Sequence, residues 1–194
     1  MKKSLGPKTL LCPAPVVLVG TYDQDGKPNI MTAAWAGICC SKPVCVNVSL
    51  RAATYSHRQI VKNQAFTLNV PSASQVKEVD FVGMASGRDR DKFAELGWTA
   101  VKSDLVNAPL VAEAPLTLEC KVVVTNELGL HTQFVGQVLD VKLDQACLDP
   151  QGNIDPAKFE PLAFLPEARQ YLGLSRVVGA AFDLGKDLLA KKPG

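Results

Sequence analysis

Along the first half of the chain, apolar and polar positions alternate with a period of two, interrupted by short turn-like stretches. Val16–Tyr22 is apolar and β-branched, Asp23-Gln24-Asp25-Gly26 is a turn signal, and Pro28-Asn29 opens a second strand that the pattern carries through Trp35. These two strands read as a hairpin. In Val44–Leu50, Val44, Val46, Val48 and Leu50 share one face while Cys45, Asn47 and Ser49 share the other. Phe66, Leu68 and Val70 alternate with Thr67 and Asn69 until Pro71 ends the run. Leu116–Thr125 is the longest alternating segment, with Leu116, Leu118, Cys120, Val122 and Val124 on one face. Phe134–Leu143 is a further strand, and Gly136 within it marks a bulge or a close contact.

Three helices punctuate this pattern. Thr54 reads as the cap of a helix ending at Asn63. Ser72-x-x-Gln75 is a capping-box signature, and the helix after it places Val76, Val79 and Val82 on one side. A polar loop (GMASGRDRD) then leads to a short helix, Lys92–Leu96, that stops at Gly97. From about residue 147 the texture changes to a loop, short apolar pieces, the half-apolar stretch Leu162–Leu174 and a polar tail. The pattern predicts one mainly β domain over residues 1–194, with a core at about 10–146 and a C-terminal extension at about 147–194. Strands at this spacing predict a closed or nearly closed barrel with inserted short helices.

Composition narrows the classes of function. The 194 residues are 47% apolar and 21% charged, enough apolar surface to drive collapse. Lys plus Arg is 21 and Asp plus Glu 19, a net charge of +2, which argues against a nucleic-acid partner. No apolar window approaches the length of a membrane span, and Pro7, Pro13 and Pro15 break the N-terminal apolar run. The N-terminus reads as mature and the protein as cytoplasmic. Six cysteines without a CxxC pair and only two histidines argue against structural zinc, and the cysteines read as buried reduced thiols. There is no GxGxxG, no GxSxG and no true phosphate loop, since five residues separate Gly179 from Gly185 and Asp187 follows the lysine. Ser74-x-x-Lys77 lies on an ordinary amphipathic helix without the partner motifs of an acyl-enzyme.

Four stretches carry candidate chemistry. In Asn29-Ile30-Met31-Thr32-Ala33-Ala34-Trp35, small and hydroxylated residues expose a strand to something flat, with Trp35 at an edge; the alternative is a half-buried strand with a core Trp. In Ser49-Leu50-Arg51 and Thr54-Tyr55-Ser56-His57, a strand end, an arginine and a hydroxyl-rich helix start make a seat for phosphate; the alternative is plain capping. In Ser86–Phe93, Lys92 sits at the electropositive start of a helix, an unfavourable place for a cation unless an anion compensates. In Gly129–Gly136, His131 lies between a glycine turn and a strand, within reach of a ligand on a barrel rim.

At these residues the sequence resembles the flavin reductase-like FMN-binding family, and within it the flavoredoxins. The matching motifs are Pro-x-Pro-Val at 13–16, Asp-Gly-x-Pro-Asn-x-Met-Thr-x-x-Trp at 25–35, and Val-Ser-Leu-Arg at 48–51. Thr-x-x-x-x-x-Ile at 54–60, Ser-Gly-x-x-x-Asp-Lys-Phe at 86–93 and His-x-x-Phe-x-Gly-x-Val at 131–138 also match, while Leu130 stands where many relatives carry an acid. The resemblance implies a Greek-key split β-barrel that holds FMN non-covalently near a homodimer interface. It implies that Asn29, Met31, Thr32, Ala33, Ala34 and Trp35 face the ring. Ser49, Leu50, Arg51, Thr54, Tyr55, Ser56, Ser86 and Lys92 would line the ribityl and phosphate, His131 would sit close to the ring in the catalytic role, and Phe164 would shield it. The implied function is electron transfer to or from a redox partner protein. The alternatives are an NAD(P)H:flavin oxidoreductase and a non-redox small-ligand or haem-binding barrel.

Overall fold

The structure is a computed structural model that describes residues 1–190. In chain order its elements are β1 (Ala14–Pro15), β2 (Val17–Tyr22), β3 (Pro28–Ala33), β4 (Ala36–Ser41), β5 (Val44–Arg51), α1 (Tyr55–Asn63), β6 (Ala65–Val70), α2 (Val76–Met84) and α3 (Lys92–Leu96). There follow β7 (Ala100–Lys102), β8 (Pro109–Val111), β9 (Leu116–Leu128), β10 (His131–Leu143), α4 (Pro156–Phe159), β11 (Leu162–Leu165), β12 (Gln170–Gly173) and α5 (Lys186–Ala190).

Seven antiparallel strands form the main sheet in the order β3-β2-β6-β9-β10-β5-β4. Its two edge strands, β3 and β4, are consecutive in the chain, separated only by Ala34 and Trp35. Seven flat strands would put those edges about 29 Å apart, at roughly 4.8 Å per step. The chain from Ala33 to Ala36 reaches at most about 11 Å. The sheet therefore curls until its edges nearly meet, and the barrel is split between β3 and β4, where no ladder joins them. The second strand of the sequence pattern thus ends at Ala33 rather than Trp35. A separate strand, β4, follows that the pattern did not reveal, because AGICCS shows no alternation of apolar and polar positions.

The barrel interior holds Val17, Val19, Val46, Val48, Leu50, Phe66, Leu68, Cys120, Val122 and Phe134, closed at one end by Ile60 of α1. A second core lies outside the barrel wall, where Val16, Leu18 and Ile30 meet Val79 and Val82 of α2, Phe93 of α3, Val111 and Leu162. Strand β2 is therefore covered on both faces, which is why its apolar run is continuous rather than alternating. Thr67 and Asn69 are buried beneath β8. Thr67 Oγ1 donates to Pro109 O (2.5 Å), Asn69 Nδ2 donates to Leu18 O (3.0 Å), and Asn69 Oδ1 accepts from Val111 N (2.9 Å) and Thr117 Oγ1 (2.8 Å). The side-chain nitrogen and oxygens of Thr67 and Asn69 are all matched, so these two residues fix β8 on the barrel instead of penalising it. The C-terminal extension returns to the N-terminus: β11 pairs with β1, Phe164 opposite Ala14. Three of the six thiols, Cys45, Cys120 and Cys147, are buried as expected, but Cys12, Cys39 and Cys40 are exposed on the N-terminal arm and the edge strand.

Gly136 combines both expected roles. The β9–β10 register shifts between Val135 and Gly136, and a Cβ there would lie 2.6 Å from Phe66 Cζ and 2.9 Å from Cys120 Cβ. Gly136→Ala should overpack the interior and lower stability by about 1–3 kcal/mol. Urea unfolding checks this, and an unchanged midpoint would refute the crowding.

Candidate functional site

Three adjoining clefts run around the split between β3 and β4. The first, with a cavity volume of about 310 Å³, lies between the start of α1, β3 and the loop after α2. It gathers Asn29, Met31, Thr54 and Tyr55 with Ser56, Ser86 and Lys92. The second, about 260 Å³, brings together Thr32, Ala33, Ala34 and Phe164. The third, about 380 Å³, is walled by Ala34, Trp35 and Ser49 together with the N-terminal arm from Lys8 to Pro15. Gly83 and Met84 belong to both the first and second clefts, and Ala34 to both the second and third, so the three make one groove.

At the first cleft the start of α1 is chemically open. Thr54 occupies the N-cap position but its side chain caps nothing. Its Oγ1 donates instead to Arg51 O (2.9 Å), which also accepts the Thr54 N–H. The first-turn amides of α1 are left without a side-chain acceptor and with the positive end of the helix dipole, a setting that favours an anion. Ser56 Oγ is buried and accepts from Asn29 Nδ2 (2.9 Å), so the Ser56 hydroxyl proton remains to be donated. The Tyr55 hydroxyl is engaged elsewhere. It donates to Asp23 Oδ2 (3.0 Å), and burial together with that carboxylate holds its pKa above the ordinary phenol value. On the opposite wall, Gly87 approaches so closely that a Cβ there would lie 2.0 Å from Asn29 Oδ1 and 2.8 Å from Tyr55 Cδ1. Arg88 follows it in the wall, exposed, and brings a positive charge to the cleft.

Lys92 stands differently from its expected place as a direct phosphate ligand. Its side chain is buried, and Nζ donates to Ile30 O (2.6 Å) and Val82 O (3.1 Å). Val82 lies in the last turn of α2, where the carbonyl end of the helix attracts a cation. The compensation that its position at the start of α3 demanded thus comes from main-chain carbonyls. Burial lowers its pKa to about 8.

The remaining expected residues divide. Thr32 Oγ1 donates to Val79 O (2.6 Å) and is fixed against α2. In the second cleft, the Phe164 ring lies 5.5 Å from that of Tyr171. The Tyr171 hydroxyl donates to Asp80 Oδ1 (3.2 Å), and burial pushes its pKa up to about 12. Trp35 is 37% exposed, and its carbonyl accepts from Ser49 N (2.8 Å), which ties the connection between β3 and β4 to β5. Leu50 is a barrel-core residue, because its side chain alternates inward with Val46 and Val48; it lines none of the three clefts. Arg51 and His131 are opposite each other in the β5–β10 register, and neither lies in the walls of the three clefts. Sequence reasoning did not single out Gly83, Met84, Gly87 or Arg88 as site residues. Only the glycines in the polar loop 83–91 hinted at a close approach there. Nor did it give a role to His57, whose Nε2 lies 2.7 Å from Thr132 Oγ1 and whose ring is 5.3 Å from that of Phe134.

The profile of the flavin reductase like domain matches residues 9–172. The chain belongs to that family. Flavoredoxin of Desulfovibrio vulgaris (Miyazaki F) is 48% identical, with a TM-score of 0.90 over 95% of this chain and 100% of its own. Flavoredoxin from Methanosarcina acetivorans is 29% identical, with a TM-score of 0.89 over 97% of this chain and 99% of its own. A ferric-chelate reductase (NAD(P)H) of Archaeoglobus fulgidus is 30% identical over 124 residues, which cover 63% of this chain and 72% of that protein.

The buried amine of Lys92 makes a testable contribution to stability. Below pH 8 the folded and unfolded chains both hold its proton, and the folded state bears the full cost of burying the charge. Between pH 8 and 10.5 the unfolded chain keeps a proton that the folded chain has lost, so this group makes stability rise with pH. The gain over that window is on the order of 3 kcal/mol. Urea midpoints from pH 7.5 to 10 should climb in the wild type relative to Lys92→Met; a constant difference between the two would contradict it.

Proposed function

We propose that the protein is an FMN-binding flavoprotein of flavoredoxin type, which passes electrons to or from redox partner proteins. One observation carries this reading: a continuous groove, open at one end on an uncapped helix start, in a chain that resembles a flavoredoxin over almost its whole length. Bound FMN would supply reversible acceptance of one or two electrons, and the chain would supply orientation and electrostatics. The first-turn amides of α1, the Ser56 hydroxyl and the Arg88 guanidinium hold the phosphate as charge-assisted donors. The backbone from Ala33 to Trp35 and Ser49 bounds the ring, with Trp35 shielding one edge and Phe164 the other side. Lys92 acts from beneath the cleft as a buried amine rather than as a direct ligand. Arg51 and His131 stand on the rim beside the helix start, where they steer an anionic ligand and hold no phosphate themselves. The fit is one of chemistry: donors, and no carboxylate, line the first cleft.

Two finer elements complete the proposal. A homodimer is supported by the apolar side chains exposed on β9 and β10, Val123, Val124, Leu128, Leu139 and Val141, which a second copy would cover. A cytoplasmic location is supported by six cysteines without a disulfide among them. The reductase alternative is favoured by the likeness to the ferric-chelate reductase, and it differs in needing rapid reduction by a nicotinamide.

Titration of the apoprotein with FMN and with riboflavin tests the binding mode. Arg88→Ala should weaken FMN about tenfold and leave riboflavin, which lacks the phosphate, unaffected. Gly87→Ala should weaken both, because its methyl would displace Asn29 and Tyr55. Equal effects of Arg88→Ala on the two ligands would remove Arg88 from the phosphate site. Anaerobic mixing of the holoprotein with NADH or NADPH separates the two functions. Slow bleaching of the flavin over minutes supports the carrier, and bleaching within seconds the reductase.

A further inference from the structure

Three of the six cysteines converge on the β4–β5 hairpin. Only Lys42 and Pro43 separate its strands, Ser41 pairs with Val44, and the next pair inward is Cys40 with Cys45. Cys39 is the extra residue of a bulge, since the register shifts between Ile38 and Cys40. In an antiparallel ladder, hydrogen-bonded and non-hydrogen-bonded pairs alternate, so the pair after the one that closes a two-residue turn is non-hydrogen-bonded. Such pairs have Cα atoms about 4.5 Å apart and side chains on one face, within the roughly 4.4–6.8 Å that a disulfide spans. The neighbouring pair Cys39–Cys40 does not meet this condition, because consecutive Cα atoms are only about 3.8 Å apart. Cys40 is exposed and Cys45 buried. The proximity of the three is also felt electrostatically: burial pushes the Cys45 thiol up, and Cys40 and Cys39 push it further.

We propose that Cys40 and Cys45 form a thiol–disulfide exchange site whose substrate is a small soluble disulfide. Cys40, the accessible member, attacks as thiolate. Its Sγ bonds to one sulfur of the incoming disulfide, the old S–S bond breaks, and one half leaves as a thiolate that takes up a proton. Cys45 then loses its proton, and its Sγ attacks Cys40 Sγ in the mixed disulfide. The second half leaves and is protonated in turn. Two protein thiols are oxidised to one disulfide, the external disulfide is reduced to two thiols, and the two protons lost by the protein end on those thiols. A buried thiol with a raised pKa is a poor first attacker but a sufficient second one, because the pairing holds it next to its target. The division of labour follows from burial: access selects Cys40, and proximity selects Cys45. The bond would staple the free edge of the barrel next to the split. The exchange requires no flavin, so its failure and that of the flavin reading are separate results.

The test uses the full-length flavin-loaded protein, kept anaerobic, with oxidised glutathione as the probe. Intact mass and peptide mapping follow an acid quench and alkylation. The expected wild-type product has lost two hydrogens, carries no glutathione and yields a peptide joining Cys40 to Cys45. Cys45→Ser should instead accumulate one glutathione on Cys40, at least about tenfold above wild type. Cys40→Ala, at an exposed position that does not threaten folding, should abolish the internal bond and leave Cys45 a free thiol, while Cys39→Ala leaves the bond intact. The proposal is overturned if wild type retains glutathione as Cys45→Ser does, if the bond joins any other pair, or if wild type does not react.

Discussion

The connection of Ala34 and Trp35 between β3 and β4 governs the architecture. Two residues cannot bridge the width of a seven-stranded sheet, so the sheet closes, and it closes at this place. The closure is incomplete, because no ladder joins β3 to β4 and the hydrogen bond from Ser49 N to Trp35 O is what ties the connection to β5. A split of this kind leaves small side chains and main chain open to a ligand at the one point where the barrel wall is not continuous. The second and third clefts meet there for the same reason, because Ala34 lines both.

The chemistry of the groove is set by where polar groups are already engaged. Thr32 is committed to Val79, Tyr55 to Asp23 and Lys92 to Ile30 and Val82. The start of α1, the Ser56 and Ser86 hydroxyl protons and Arg88 are uncommitted, and these lie on two walls of one cleft. The commitments matter as much as the vacant donors. Asn29 fixes the Ser56 oxygen, so the hydroxyl proton has one direction left, and Gly87 lets the loop come down onto Asn29 without a side chain between them. A buried amine held by two carbonyls also leaves positive potential under the cleft, with one of its three N–H groups still unengaged.

Much of this was legible in the sequence, and the parts that were not have physical reasons. Alternation found β5, β6 and β9, capping signals found α1, α2 and α3, and Gly136 marked a bulge or a close contact, of which the structure has both. Strand β4 escaped because it is an edge strand exposed along most of its length, so nothing forces apolar residues into every second position. Strands β7 and β8 are three residues each, too short to show a period. Thr67 and Asn69 are the polar positions of the alternation in β6, yet both are buried. Their burial depends on β8, some forty residues later, whose main chain they hydrogen-bond. Lys92 illustrates the limit at the site: its place at a helix start correctly implied a need for compensation, but the source, the carbonyl end of α2 and β3, is a tertiary fact.

The C-terminal extension shows why a groove of this type draws on the whole chain. Phe164 is about 130 residues from Ala34 in sequence, yet both line the second cleft, because β11 pairs with β1 and β1 leads directly into the barrel. The N-terminal arm that precedes β1 walls the third cleft in the same way. The ligand-facing surface is thus made where the two ends of the chain meet at the open seam of a barrel that its middle builds. A rigid sheet fixes the floor, while short exposed segments form the walls and remain free to vary without cost to the core.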